Sequence, residues 1–302
     1  MKYYLTVSIV LIAFVLFAYN STSQSKGSVS QHEQPQAMAH NGQEQTHNGT
    51  EQNGQGHTHE DKGHSGHSAT EKKDIPVQTE WKVPVDIKPN QDTKLNFFVR
   101  DKAGKPIENF DVNHEKKIHL IVLSKDLSFF NHIHPEYKGK GEFEITTQFP
   151  DGGDYKLISD FIPTGGKQKV EMDWINVSGR TAAPKSLQPE SNLTKVVDGK
   201  EVTLTFDQLK TGTELTMNFT IKDANSKKAM TNLQPYLGAI GHVVIMSADT
   251  ENYLHVHPME GQGSGPDAKF MTEFSKSGIY KIWGQFQHEG KVFTIPFVVK
   301  VP

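Results

Sequence analysis

The sequence predicts an all-β chain: two tandem immunoglobulin-like β-sandwich domains, preceded by a signal or anchor segment and a disordered His-rich stretch. Three observations predict it. From Trp81 onward, short apolar runs of strand length alternate with clusters of Gly, Pro, Asn and Asp. The second half of the chain repeats the first at a nearly constant offset. Before Trp81, an apolar N-terminal run gives way to a long polar tract with almost no large apolar side chains.

In the first half the candidate strands are 81–87, 93–100, 117–124, 129–134, 142–149, 154–162 and 168–177. Turn signals separate them at Lys88-Pro89-Asn90, Ala103 to Pro106, Pro150 to Gly153 and Pro163 to Gly166. Seven short strands in about a hundred residues is the number an immunoglobulin-like sandwich uses. The first domain is expected at 77–178, a polar, Pro-containing linker at 179–195 and the second domain at 196–302.

The repeat is visible residue by residue. His119-Leu-Ile-Val-Leu-Ser124 matches His242-Val-Val-Ile-Met-Ser247, and His132-Ile-His134-Pro135 matches His255-Val-His257-Pro258, each pair 123 residues apart. Downstream, Phe149, Gly153, Tyr155, Lys156 and Phe161 match Phe274, Gly278, Tyr280, Lys281 and Phe286 at an offset of 125, so one loop of the second copy has gained two residues.

At the N-terminus, Lys2 precedes a run from Tyr3 to Tyr19 that is apolar except for Thr6 and Ser8, and small residues follow at Ser21 to Ser23. This is the pattern of a signal peptide or retained membrane anchor over 1–23. Residues 24–76 are Gln, Gly, Ser, Glu, Asn and His, too polar to offset the entropy of ordering, so disorder is expected there. They hold His32, His40, His47, His57, His59, His64 and His67, with chelating spacings at His57-x-His59 and His64-x-x-His67. Such a tract suits weak metal capture or a plain spacer.

A formal net charge of −3 with no block of like charge offers no basic face for nucleic acid. The absence of cysteine excludes disulfides, thiolate metal sites and cysteine nucleophiles. Any metal must be held by His, carboxylate or Met.

The His-x12-His-x-His-Pro motif supplies such ligands twice. On a strand, residues i and i+2 share a face, so His132 points with His134 and His255 with His257. A hairpin with an even loop, centred on Lys125-Asp126 or on Asp126-Leu127, returns His119 to that face, and the same arithmetic around 248–250 returns His242. An odd loop or a bulge would move the upstream ring to the other side. The expectation is one three-His cluster per sandwich: His119, His132 and His134 in the first; His242, His255 and His257 in the second. Three neutral imidazoles suit copper, zinc or nickel, and copper leads the affinity order, with zinc as the alternative. Met246 and Met259 lie near the second cluster as soft ligands or as core. His114 is a fourth-ligand candidate or a loop residue, and its counterpart is Leu237; Glu136 is replaced by Met259; His288 stands in a hairpin turn.

The segment His114 to Glu136, together with Tyr236 to His242 and Tyr253 to Pro258, resembles exported bacterial proteins of the YtkA-like and CopC-like kind. The resemblance spans roughly 81–302 and implies an immunoglobulin-like fold, an extracytoplasmic location and an association with copper. The sequence lacks a nucleophile–base pair and a phosphate loop, so a binding protein is expected rather than an enzyme. Its partners would be a metal ion and a membrane metal transporter. An adhesive or spacer cell-surface protein with structural histidines is the alternative, and a His-ligated metalloenzyme, three His with an open position for water, is a third.

Overall fold

The computed structural model describes residues 72–302 and is all-β, with eighteen strands. The signal or anchor segment at 1–23 and the His-rich tract up to residue 71 lie outside the described residues.

In the first repeat, one sheet orders β1 (Val77–Lys82), β2 (Thr93–Asp101), β7 (Glu142–Thr147) and β6 (Glu136–Gly139) side by side. The other places β8 (Gly153–Pro163) between β4 (Ile118–Ser124) and β9 (Lys169–Val177), with β5 (Phe130–Ile133) beyond β4 and the two-residue β3 (Phe110–Asp111) at the far end of β8. In immunoglobulin lettering these are A-B-E-D and C′-C-F-G, which is the expected topology. The second repeat copies it: β11 (Lys200–Phe206), β12 (Glu214–Asp223), β16 (Asp267–Glu273) and β15 (His257–Pro258) in one sheet. Its other sheet holds β14 (Tyr253–Leu254), β13 (His242–Ser247), β17 (Gly278–His288) and β18 (Lys291–Val301). An added strand, β10 (Thr194–Val197), edges the first of these sheets, so the linker ends slightly earlier than expected.

The expected strands are present with small shifts. The first runs over Val77–Lys82 rather than 81–87, and the short β3 and β6 carry too few residues to show a period. Residues just before 77 join the fold: Lys73 bridges to Gly166, and Asp74 pairs with Lys169.

The aromatic cores lie between the sheets of each repeat, around Phe97, Phe143 and Phe149 in the first and Phe219, Phe270 and Phe297 in the second. A further cluster, not expected from the sequence, joins the two repeats. Ile121, Leu123, Leu127 and Ile158 pack against Val244, Met246 and Trp283, all buried. β4 and β8 supply Ile121, Leu123 and Ile158, the turn after β4 supplies Leu127, and β13 and β17 supply the second set. The C-F faces of the two sandwiches therefore pack on each other.

That packing is pseudo-twofold. Lys156 donates to the Thr250 carbonyl at 2.5 Å, and its counterpart Lys281 donates to the Leu127 carbonyl at 2.7 Å. Leu127 and Thr250 are themselves counterparts, so position i meets j and j meets i, as in an isologous dimer.

Candidate metal centre

The His ladder grows from the same strands at the other end of the apolar junction. The C–C′ hairpins are set by Asp126 and Asp249. Asp126 Oδ1 accepts from Ser124 Oγ at 2.6 Å and from the Ser128 backbone N–H at 3.0 Å; Asp249 Oδ1 accepts from the Ser247 hydroxyl and, at 3.0 Å, from the Glu251 backbone N–H. Leu127 and Thr250 take the left-handed conformation at φ 57° and 63°. The register pairs Ile121 with His132 and Leu120 with Ile133, so His119 stands opposite His134. This is the even-loop alternative centred on Asp126-Leu127.

The first cluster gathers as expected. His119, His132 and His134 each offer a ring nitrogen within 4.8 Å of the others, and they form the one such three-residue group among the described residues. His119 Nε2 donates to the Asn113 carbonyl at 2.9 Å, which leaves Nδ1 as a bare acceptor. Facing that Nδ1 at 3.0 Å is His132 Nε2. His132 Nδ1 contacts Gln285 Oε1 of the second repeat at 2.7 Å. His134 Nε2 is buried without a hydrogen-bond partner. Two nitrogens bound about 2.0–2.1 Å from one tetrahedral ion stand roughly 3.3 Å apart, so the residues present fit an ion of that kind. Outer nitrogens tied to oxygens and inner nitrogens turned together are what imidazole ligands require.

Burial keeps these rings neutral. It holds His119 at about 4, and His132 and His134 at about 3, with neighbouring imidazoles adding repulsion between the protonated forms. A neutral imidazole is the metal-binding form.

The second cluster does not assemble. His242 is turned toward the first repeat, its ring stacked 5.5 Å from His119 and 4.7 Å from His132. Burial again drives its pKa well down. His255 and His257 remain as a pair, with ring centroids 4.5 Å apart. The reason lies in the strand path. In the first repeat β5 follows β4 through Ile133, but in the second β14 leaves β13 after Leu254. The chain then crosses to the other sheet, where His257 pairs with Met271. His257 is thus carried away from His242.

The His255 environment also differs. Asp160, buried beneath it, has Oδ2 4.0 Å from His255 Nδ1, and its pKa is raised by burial to about 6. His255 is held at about 4, so at neutral pH this contact joins a carboxylate to a neutral ring. Gln168 Nε2 donates to Asp160 at 2.5 Å and lies 3.2 Å from His255 Nδ1. Accepting there puts the His255 proton on Nε2, the tautomer unsuited to ligation through that nitrogen.

His114 belongs to the cluster as well as to a turn. His114 and Glu115 occupy a two-residue turn at φ 47° and 64°, closed by reciprocal Asn113–Lys116 hydrogen bonds. Its ring lies 5.5 Å from His242 and 6.2 Å from His119, and burial holds its pKa below the usual imidazole value. Glu136 is exposed in a surface pair with Lys138, away from the three rings' group. Met246 is core filler in the junction, and Met259 is partly exposed. His288 ends β17 before a Glu289-Gly290 turn, as its sequence context indicates. Gln285 and Asn113, which hold the outer nitrogens, were not picked out from the sequence; a Gln at the repeat position of Asp160 was the available signal.

The model of a family described as Domain of unknown function (DUF8832) matches residues 72–179 and again 195–302. The chain belongs to this family. Both copies of the DUF8832 domain coincide with the two sandwiches. No curated protein matches the chain. Among solved structures, a mutant of Salmonella alpha-2-macroglobulin is similar at 9% identity, covering 75% of this chain and 15% of that one, with a TM-score of 0.28. Invasin, titled a bacterial integrin-binding protein, is similar at 11% identity over 74% of this chain and 39% of that one, with a TM-score of 0.22. A marsupial T cell receptor is similar at 9% identity over 74% of this chain and 95% of that one, with a TM-score of 0.24. The DUF8832 chain thus spans well under half the length of the first two. Among the described residues no helix is long and apolar enough to cross a membrane.

Proposed function

We propose that this DUF8832 protein is an exported metal-binding protein that holds one borderline divalent ion, copper foremost and zinc as the alternative, through His119, His132 and His134. One observation carries the reading: three imidazoles each bring a ring nitrogen within 4.8 Å of the others, while their environment ties up the other sides of His119 and His132. An unpartnered, buried His134 Nε2 supports it, because a buried polar atom without a partner costs on the order of 1–3 kcal/mol unless something occupies it. Imidazole suits copper and zinc, and copper leads the affinity order. The reading includes export to the extracytoplasmic side through the N-terminal segment, a holding role without catalysis, and hand-over to a membrane metal transporter.

A second reading, an adhesive or spacer protein with structural histidines, has the tandem sandwiches behind it and one specific observation. A single proton between His119 Nδ1 and His132 Nε2, 3.0 Å apart, satisfies that contact without an ion.

Titration of the full chain with zinc and with copper separates the two. The metal reading expects a tight equivalent that disappears in His132→Ala/His134→Ala while weak binding by the tract up to residue 71 persists. A wild type with only the weak component leaves the spacer reading standing.

A further inference from the structure

We propose that Gln285 of the second repeat is a positioning residue for the centre on the first, choosing which nitrogen of His132 carries the proton and so whether the centre is ready for an ion. This deepens the metal-binding reading and rests on it.

The argument starts from His119, whose tautomer is fixed. A carbonyl can only accept, so Nε2 must carry the proton it donates to Asn113, and Nδ1 presents a lone pair. His132 then has two neutral arrangements. With its proton on Nε2 it donates to His119 Nδ1 across the 3.0 Å gap, and its bare Nδ1 needs a donor from residue 285. With its proton on Nδ1 it donates to Gln285 Oε1 at 2.7 Å, and its bare Nε2 faces the lone pair of His119. The second arrangement is repulsive when empty and is the one an ion requires. The ring keeps one proton throughout; only the nitrogen bearing it changes.

A primary amide is the side chain that serves both arrangements, since it offers N–H on one side and an oxygen on the other. Its remaining contact is equally adaptable. Gln285 Nε2 lies 3.2 Å from the Thr294 hydroxyl, which accepts from the amide nitrogen or donates to the oxygen after a flip. Gln285 is 5% exposed, so water does not substitute for it. At the same repeat position the first repeat has Asp160, which as a carboxylate only accepts, and His255, which it faces, belongs to no three-His group among the described residues. The ambivalent residue stands where the ligands gather.

The test uses the full-length chain with zinc chloride at pH 7.5, comparing wild type, Gln285→Glu and Gln285→Leu by calorimetry, with melting temperatures recorded for each. The side-chain 15N spectrum of His132 reports its tautomer, a property that a merely structural role leaves alone. Glu is isosteric with Gln but only accepts, so Gln285→Glu is expected to hold His132 with its proton on Nδ1 before metal is added and to bind zinc at least as tightly as wild type. Gln285→Leu is expected to weaken zinc binding roughly 10- to 100-fold, the usual effect of losing an outer hydrogen-bond partner. Wild-type affinity in Gln285→Leu overturns the proposal. So does equal weakening in both variants, or a His132 proton on Nε2 in Gln285→Glu. A wild type that binds no zinc at all overturns the metal reading itself, and the proposal with it.

Discussion

Asp160 and Gln285 are the same position of the repeat, and each stands beneath the His-x-His of the other sandwich: Gln285 under His132 at 2.7 Å, Asp160 under His255 at 4.0 Å. The histidine cluster is therefore a property of the packed pair. The two sheets meet through an apolar half around Trp283, to which both repeats contribute, and a histidine half around His132, whose three-His group comes from the first repeat and whose Gln285 contact comes from the second.

If the centre is the tight site, its loss should be specific. His132→Ala/His134→Ala is expected to remove one equivalent of tightly bound metal, whereas His255→Ala/His257→Ala leaves it in place. Elemental analysis after gel filtration measures both. Equal loss in the two double variants would show that the site spans the His255–His257 pair.

Metal-free stability should fall in acid. Burial lowers His119 from 6.5 to about 4, a shift of order 3 kcal/mol by itself. His132, His134 and His255 are lowered in the same sense. Between pH 6.5 and those folded values the unfolded chain binds more protons, so stability is full above 6.5 and declines as the pH drops through the window. Asp160, raised to about 6, acts oppositely: its contribution is greatest below its unfolded value near 3.8 and fades as the pH rises toward 6. Four rings outweigh one carboxyl. The melting temperature at pH 5 should lie below that at pH 7.5, and a flat profile would contradict neutral burial. The ordinary imidazole value predicts loss of metal just below pH 6.5; the lowered values move half-loss further down.

The junction should matter to both repeats. Trp283 is 3% exposed and stacks on Phe130 at 4.9 Å across it. Trp283→Ala is expected to cost roughly 3–5 kcal/mol in urea unfolding. It should also weaken zinc binding, since Gln285 lies two residues along the same strand. Unchanged zinc affinity in a clearly destabilised variant would uncouple the junction from the centre.

Gly241 sits where no side chain fits: a Cβ there would lie 2.5 Å from the Phe286 ring and 2.7 Å from the Gln285 carbonyl. Gly241→Ala should push β17 outward, lowering stability by roughly 1–3 kcal/mol and loosening the Gln285 contact. Wild-type melting and zinc affinity would refute the close approach.

Much of this was legible before any coordinates. The strands flanking Asp126 and the face shared by His119, His132 and His134 follow from period-two geometry and an even loop. The duplication announced two sandwiches. The junction was less legible, yet it left a trace: Leu120 to Leu123 is apolar without alternation, and Ile118 to Leu123 is buried on both faces, as a strand covered on both sides should be. The failure of the second triplet was not readable. His242, His255 and His257 keep the spacing, but the point at which β14 departs from β13 depends on sheet pairing that spacing does not encode.

The most direct measurement is anomalous diffraction at the metal edge from crystals of the metal-loaded full chain. A peak about 2.0–2.1 Å from nitrogens of His119, His132 and His134 is predicted. A peak elsewhere with those three rings unligated, or no peak from protein that has taken up metal only through its N-terminal tract, would contradict it.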